Sequence, residues 1–340
     1  MKLKIQFDYF SDCGALNFHL DSDTSVLRKD MHSSQRSAFV AGTWTNLRTQ
    51  FFTFILFCRH FHLSYLPASL DTVMLFAQFL SRSFKAPQSI RNYLNGVKFV
   101  HVMFGYEYNF HQDTHFKLLF RGIQRNMNHV PKRAAPISPD ILQRISSVLD
   151  FGSDLDIVCW TAGLFLFFLM ARAGNVFQDS KDISIGLRRK DVLFSDQYLF
   201  VKFRRTKTIQ LGKRRLIIPI FESRSSICPV SACYTMLQRI AGRLSDPFFS
   251  IRSDSTLVPL SKSRFMAHFR GMMQRAEIAD PHAYSCHSFR RGGDSWAFQT
   301  GLSGELIQIF GDWASDCYKL YLEMSMDTKI NFATRFSSNI

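Results

Sequence analysis

The residues whose chemistry stands out lie near the C-terminus: His287-Ser-Phe-Arg290-Arg-Gly-Gly, then Gly311-Asp-Trp313, then Tyr318 and Tyr321. A histidine and an arginine three positions apart share one helical face. Guanidinium binds phosphate oxygens in pairs and keeps its charge. Imidazole titrates near neutrality and can bond to a reacting oxygen or exchange a proton with it. A phenol can form a covalent ester that conserves the energy of the bond it replaces. Together these residues describe a site that holds a phosphate and attacks it with a tyrosine oxygen.

Cutting a phosphodiester without a metal has two further needs. The charge on the nonbridging oxygens calls for a second cation, and the departing 5′ oxygen needs a proton. Arg172, which follows the apolar run from Ile157 to Ala171, is the candidate for the first. Lys207, in Phe203-Arg-Arg-Thr-Lys-Thr-Ile at the end of a strand before a turn, is the candidate for the second. Singly, each residue has an ordinary structural reading. Arg172 would be a cation at a helix C-terminus, Lys207 one lysine of a basic hairpin, His287 a capping or core residue, and Tyr321 a core aromatic. Gly292 and Gly293, so early in a helix, read as a point of close backbone approach.

The elements that must position these groups are mostly helical. Residues 1–32 are weakly periodic and read as an extended or partly ordered arm. Between 33 and 130, apolar spacing of three and four predicts helices over about 36–62, 68–84, 88–104 and 113–128. Trp44, Leu47, Phe51, Phe54 and Phe57 line the first, and Val73, Phe76, Phe79 and Leu80 the second. Ile90, Tyr93, Leu94, Val97 and Val100 line the third. In the fourth, Phe116, Leu119 and Ile123 face in, while Lys117, Arg121 and Arg125 form a basic row that suits either water or phosphates. Pro131, Pro136 and Pro139 deny the next stretch a continuous helix, so 131–138 reads as a linker, with Lys132 and Arg133 suited to a strap along DNA. From 139 to 340 a second domain starts with helices at Pro139 and over 156–170. Strand-like segments follow at 192–194, 198–203 and 215–220, with Gly212 in a turn. Helices are expected again over 229–242, 262–277, 287–300, 303–310 and 314–326. The fold class is therefore mainly α with a small antiparallel sheet.

Bulk composition narrows the function classes. A hydrophobic content of 46% with 20% charged residues describes a globular chain and excludes disorder. A net charge of +15 points to a polyanionic partner, because lysine and arginine release counterions from nucleic acid. The seven cysteines are scattered without metal-site spacing, which suggests reduced thiols and an intracellular setting. No signal-peptide run opens the sequence. The apolar stretch from Ile157 to Ala171 falls short of the roughly 20 residues that span a bilayer and reads as a core helix.

The order Arg172, Lys207 in a strand-turn, His287-x-x-Arg290, Trp313, Tyr321 closely resembles the tyrosine recombinase (phage-integrase) family. The resemblance covers about residues 138–326 by motif, and the four preceding helices match that family's core-binding domain. Arg-Thr-Lys-Thr on the hairpin and Cys228-Pro-Val at the next helix add to it. Gly-Asp-Trp-Ala-Ser-Asp-Cys-Tyr-Lys-Leu-Tyr is most similar to recombinases of eukaryotic mobile elements, of DIRS-like and Crypton type. The resemblance implies that Arg172 and Arg290 clamp the scissile phosphate and that His287 supports the same charge. Lys207 would protonate the leaving oxygen, and Tyr321 would form a 3′-phosphotyrosine link. Trp313 would stand where other members use histidine, donating its indole N–H to the phosphate or packing the site. Double-stranded DNA is the implied partner and a homotetramer the implied assembly, with no cofactor, no metal and no membrane. Action in the nucleus follows only from the eukaryotic resemblance.

Two positions depart from the family pattern. Asn175 stands where an acid is common, three residues after Arg172. Tyr318 competes with Tyr321 but lies five residues past Trp313, where eight or nine are usual, so Tyr321 is the expected nucleophile. Two other functions fit the charge and motifs: a DNA-binding protein that has lost catalysis, and a type IB topoisomerase-like relaxing enzyme. The complete six-residue set argues against the first, and the four-helix domain against the second.

Overall fold

The computed structural model describes residues 22–131, 133–178, 186–204, 216–253 and 256–313, together with 206, 209, 315, 316, 319, 330 and 334. The chain divides into two compact units, 1–132 and 133–340.

The first unit is helical, and its helices begin where the sequence offers caps. Helix α1 spans Ser22–Arg36, α2 Ala41–His60, α3 Leu70–Ser81, α4 Pro87–Met103 and α5 Thr114–Met127. The Ser69 hydroxyl accepts from the Thr72 N–H, and the Asp113 carboxylate accepts from the Phe116 N–H, satisfying amides that the helix itself leaves open. Pro87 opens α4, where a missing N–H costs nothing. Phe51, Phe54, Phe76, Ile90, Leu94, Phe116, Phe120 and Ile123 form one buried core. Lys117, Arg121 and Arg125 are exposed, as their spacing predicts. Phe79 is the exception among the expected core residues: it is 40% exposed, and Ala77 is buried on that helix instead. The arm expected over 1–32 also needs correction, since helix α1 begins at Ser22. Its side chains are mostly exposed, so it lacks the apolar stripe by which a helix is read in sequence.

In the second unit the central helix is α7, Asp154–Phe168. Twelve of its residues are buried, from Asp156 to Phe167, which is why its sequence is apolar on every face. Ser153 caps its start, and Asp154 and Asp156 complement the positive end of its dipole. Helices α9 (Pro229–Arg239), α10 (Lys262–Arg275) and α11 (Cys286–Gln299) pack against it, α6 (Pro139–Ser146) packs against α10, and the short α8 (Ala173–Val176) and α12 (Gly304–Phe310) complete the helical set. Gly163 of α7 lets Phe269 and Phe289 press in: a Cβ there would come within 2.8 Å of the Phe269 ring. The Asp156 carboxylate is buried and accepts from His268 Nε2 at 2.6 Å and from Arg275, which ties α10 to the start of α7. No helix of the described residues is long and apolar enough to cross a membrane.

Strands β1 (Val192–Ser195), β2 (Tyr198–Phe203) and β3 (Leu216–Phe221) form an antiparallel sheet in that order, with Val201 opposite both Val192 and Ile218. Pro219 is tolerated because β3 is an edge strand. A second hairpin, β4 (Ser250–Ser253) with β5 (Thr256–Pro259), was not expected; its four-residue strands are too short for alternation to register. The proline-rich stretch read as a linker is partly docked. Ala135 N–H donates to Ala283 O and Ile137 N–H to Ser288 O, both at 3.0 Å, so this segment lies against the start of α11.

Candidate active site

Four of the six expected site residues are described, and the fold brings them together from three distant segments. Lys207, Tyr318 and Tyr321 lie outside the described residues, as do most of residues 314–326.

Arg172 does not end the long helix, as its place after the apolar run suggested. Helix α7 stops at Phe168; Met170 then takes a left-handed backbone (φ 46°), and Arg172 becomes the residue that caps α8. A cation at the C-terminus of α7 is therefore not its role. The turn instead carries its half-buried side chain toward the segment after α12, where it donates to the Asp312 carbonyl at 3.5 Å.

Arg290 sits in the first turns of α11, which Ser285 caps by accepting from the His287 N–H. It is 1% exposed. A buried cation is costly unless its donors find acceptors, and two of the guanidinium nitrogens do. Arg290 donates to the carbonyls of Met170 and of Gly311, the latter at 2.8 Å, and its guanidinium carbon lies 3.7 Å from the centre of the Trp313 ring. The Arg172 guanidinium is 5.6 Å from the same ring. Trp313 thus stands between the two arginines, with its indole nitrogen buried.

Glycines make these approaches possible. A Cβ on Gly292 would fall 1.9 Å from the Ile137 carbonyl oxygen, and one on Gly293 would fall 2.2 Å from that of Phe167. A Cβ on Gly311 would fall 2.6 Å from Trp313 Nε1, so that glycine lets the indole fold back.

His287 remains open on one side. Its pKa lies below the usual imidazole value, first because its surroundings desolvate the charged form, then because Arg290, Arg291 and Arg172 oppose another positive charge. It is therefore neutral at pH 7, able to donate one hydrogen bond or accept one. Arg291 is buried and donates to the Ala134 carbonyl, fastening the segment that enters this domain.

Three polar residues of this region went unnoticed in the sequence. Asp312 is buried in left-handed backbone (φ 54°) and accepts from the Thr206 hydroxyl at 2.7 Å, which links the end of β2 to the Trp313 segment. Asp294, one turn after Arg290, is fully buried. Its spacing of four from Arg290 was legible; the contact between Thr206 and Asp312, 106 residues apart, was not.

A cluster of two guanidiniums and a neutral imidazole is suited to a tetrahedral anion, because the arginines present several donors each and no proton need be lost. The architecture around it is that of the tyrosine recombinases. The Tn1549 transposon integrase in complex with transposon right end DNA superposes with a TM-score of 0.59 at 13% identity, covering 91% of this chain and 98% of that one. The lambda integrase dimer bound to a COC′ core site gives 0.54 at 14%, covering 88% and 95%. XerH recombinase bound to palindromic difH substrate, in a post-cleavage complex, gives 0.52 at 11%, covering 78% and 72%. Likeness at these identities defines the fold. No family model and no curated protein matches the sequence.

Proposed function

We propose that this chain is a site-specific DNA recombinase that cleaves and rejoins strands through a covalent 3′-phosphotyrosine intermediate. The observation that carries the reading is the convergence of Arg172 and Arg290 on Trp313, with His287 close enough to feel both arginines. Binding DNA needs only surface cations; sinking an arginine and stacking it on tryptophan serves an anion that must be held in one orientation.

In this mechanism Arg172 and Arg290 hold the nonbridging oxygens of the scissile phosphate, and His287 hydrogen-bonds to the same group. The Tyr321 phenol loses its proton to solvent as its oxygen attacks phosphorus and forms the phosphotyrosine ester. The bond to the 5′ oxygen breaks, and Lys207 gives that oxygen a proton. A 5′ hydroxyl from a second strand then reverses the step and releases tyrosine, so no nucleotide cofactor is consumed. The roles of Lys207 and Tyr321 rest on their place in the motif order.

The DNA-bound integrase and recombinase neighbours support duplex DNA as partner, and the transposon integrase among them supports a part in mobile-element integration or excision. The Gly-Asp-Trp wording favours the DIRS-like and Crypton group, and with it a nuclear site of action. Assembly as a homotetramer on two duplexes belongs to the same proposal.

A nicked suicide duplex carrying the ends of the chain's own element tests the reading. The native chain and Tyr318→Phe should form a covalent protein–DNA adduct, and Tyr321→Phe should form none. Adduct in Tyr321→Phe overturns the choice of nucleophile. DNA binding by the native chain without adduct means a DNA-binding protein that does not cleave.

A further inference from the structure

Three consecutive residues close the arginine cluster, and the middle one is also held from outside it. The Gly311 carbonyl accepts from Arg290 at 2.8 Å, and the Trp313 ring covers that guanidinium. The Asp312 carbonyl accepts from Arg172, while its carboxylate accepts from the Thr206 hydroxyl at 2.7 Å. Both residues are buried, so this bond is shielded from water. Thr206 also ties down the chain that follows it. Its N–H donates to the Ile209 carbonyl at 3.3 Å, and its hydroxyl oxygen accepts from the Ile209 N–H at 3.0 Å. One hydroxyl thus gives its proton to Asp312 and a lone pair to Ile209. The two residues between those bonded ends are Lys207 and Thr208. Lys207 itself lies outside the described residues, but the chain is fastened on both sides of it. An apolar pair at 206 and 312 would pack without the desolvation cost of a carboxylate, so packing alone gives no reason for this one.

We propose that Thr206 and Asp312 are the positioning residues of Lys207, their buried bond holding the 206–209 stretch against the Trp313 segment so that the lysine reaches the departing oxygen. They make no contact with the reacting atoms and act through Lys207. A proton donor works only within hydrogen-bond reach of its target, and lysine carries its ammonium on a flexible four-carbon stem. Fixing the backbone at its root removes part of that freedom. The same bond joins the proton donor to the segment that covers the phosphate-holding arginines. The proposal rests on the strand-cleavage reading and on the role given there to Lys207, whereas the bond between Thr206 and Asp312 stands apart from both.

The test uses two nicked duplexes, one natural and one with sulfur in place of the departing 5′ oxygen. A thiolate is a far weaker base than an alkoxide and leaves without a proton, so a fault confined to the proton donor slows the oxygen duplex alone. Lys207→Ala sets the size of that selective loss. Thr206→Val removes the hydroxyl and keeps the branched shape. It should slow adduct formation on the oxygen duplex about 10- to 100-fold, the cost of a misplaced catalytic group, and leave the sulfur duplex within about twofold of the native rate. Thr206→Ser, which keeps the hydroxyl, should restore the native rate on both. Asp312→Gly removes the acceptor at a left-handed position that glycine adopts freely. It should show the same selective loss, and it decides the matter if Thr206→Val fails to fold. Equal slowing on both duplexes, or none on either, overturns the proposal and leaves the cleavage reading standing. If Lys207→Ala itself slows both alike, the proton-donor role falls and this proposal with it. If the native chain forms no adduct with either duplex, the cleavage reading falls, and hydrogen exchange decides the geometry. The Ile209 amide should then exchange at least about tenfold faster in Asp312→Gly than in the native chain, with the β2 amides unchanged. Unchanged exchange at Ile209 overturns the hold of Asp312 on this stretch.

Discussion

The guanidinium of Arg290 lies 3.7 Å from the centre of the Trp313 ring and also donates to the Gly311 carbonyl, two residues before that tryptophan. The arginine therefore holds the segment that covers it, and the segment holds the arginine. Neither group is placed by its own helix alone.

Trp313→Ala should accordingly cost more than one contact. A desolvated cation–π pair is worth about 2 kcal/mol, and Arg290 and Asp294 would lose their cover. We expect adduct formation on the nicked duplex to fall at least about tenfold, with Trp313→Phe, which keeps an aromatic face, falling less. Equal loss in both variants would mean that the indole N–H, not the ring face, matters.

Thr206→Val removes the hydroxyl that bonds to Asp312 and leaves a buried carboxylate short of a donor. The expected destabilisation is about 1–3 kcal/mol, measured by urea unfolding of the full chain. Asp312→Asn, which keeps an acceptor oxygen for the hydroxyl, should cost less.

Gly292→Ala and Gly293→Ala each drive a Cβ into main-chain oxygen, of Ile137 and Phe167 respectively. Backbone cannot swing aside as a side chain can, so we expect losses of at least about 1–3 kcal/mol or failure to fold. Gly122→Ala on α5 meets nothing within 4 Å and should stabilise by about 0.4–1 kcal/mol. Thermal melts of the three variants compare these directly.

Asp294 gives stability a pH dependence of definite sign. Its carboxyl rises from 3.8 to about 7 on folding. Between those values the folded chain keeps a proton that the unfolded chain has lost, so stability falls as pH rises through the window and levels off above it. Asp294→Asn lacks this titration. The Tm of the variant relative to the native chain should climb from about pH 4 to about pH 8, by the equivalent of a few kcal/mol, since one pKa unit is about 1.4 kcal/mol. A difference that does not change with pH would show that the carboxyl does not titrate in this range.

Much of the helical framework was legible because amphipathic spacing and caps act locally. Helices α3, α4 and α5 lie within a few residues of their expected spans, since Ser69, Pro87 and Asp113 mark their starts. Helix α1 was hidden by the lack of an apolar stripe, and the β4–β5 hairpin by its brevity. Of the site, the sequence singled out Arg172, His287, Arg290 and Trp313 through their order along the chain. It did not single out Asp294, because an aspartate on a helix is usually solvated and only burial makes it exceptional.

What the sequence determined by itself was which side chains could do phosphate chemistry, the 3.6-residue periods that make helices, and the glycines that permit close approach. The tertiary structure alone decided how those side chains meet. Arg172 turns out of α7 through left-handed Met170, Trp313 stacks on an arginine from another helix, and Asp312 meets Thr206 across 106 positions. Local sequence fixes backbone preference, whereas a site depends on contacts between segments far apart in the chain, and these exist only once the core around α7 has packed.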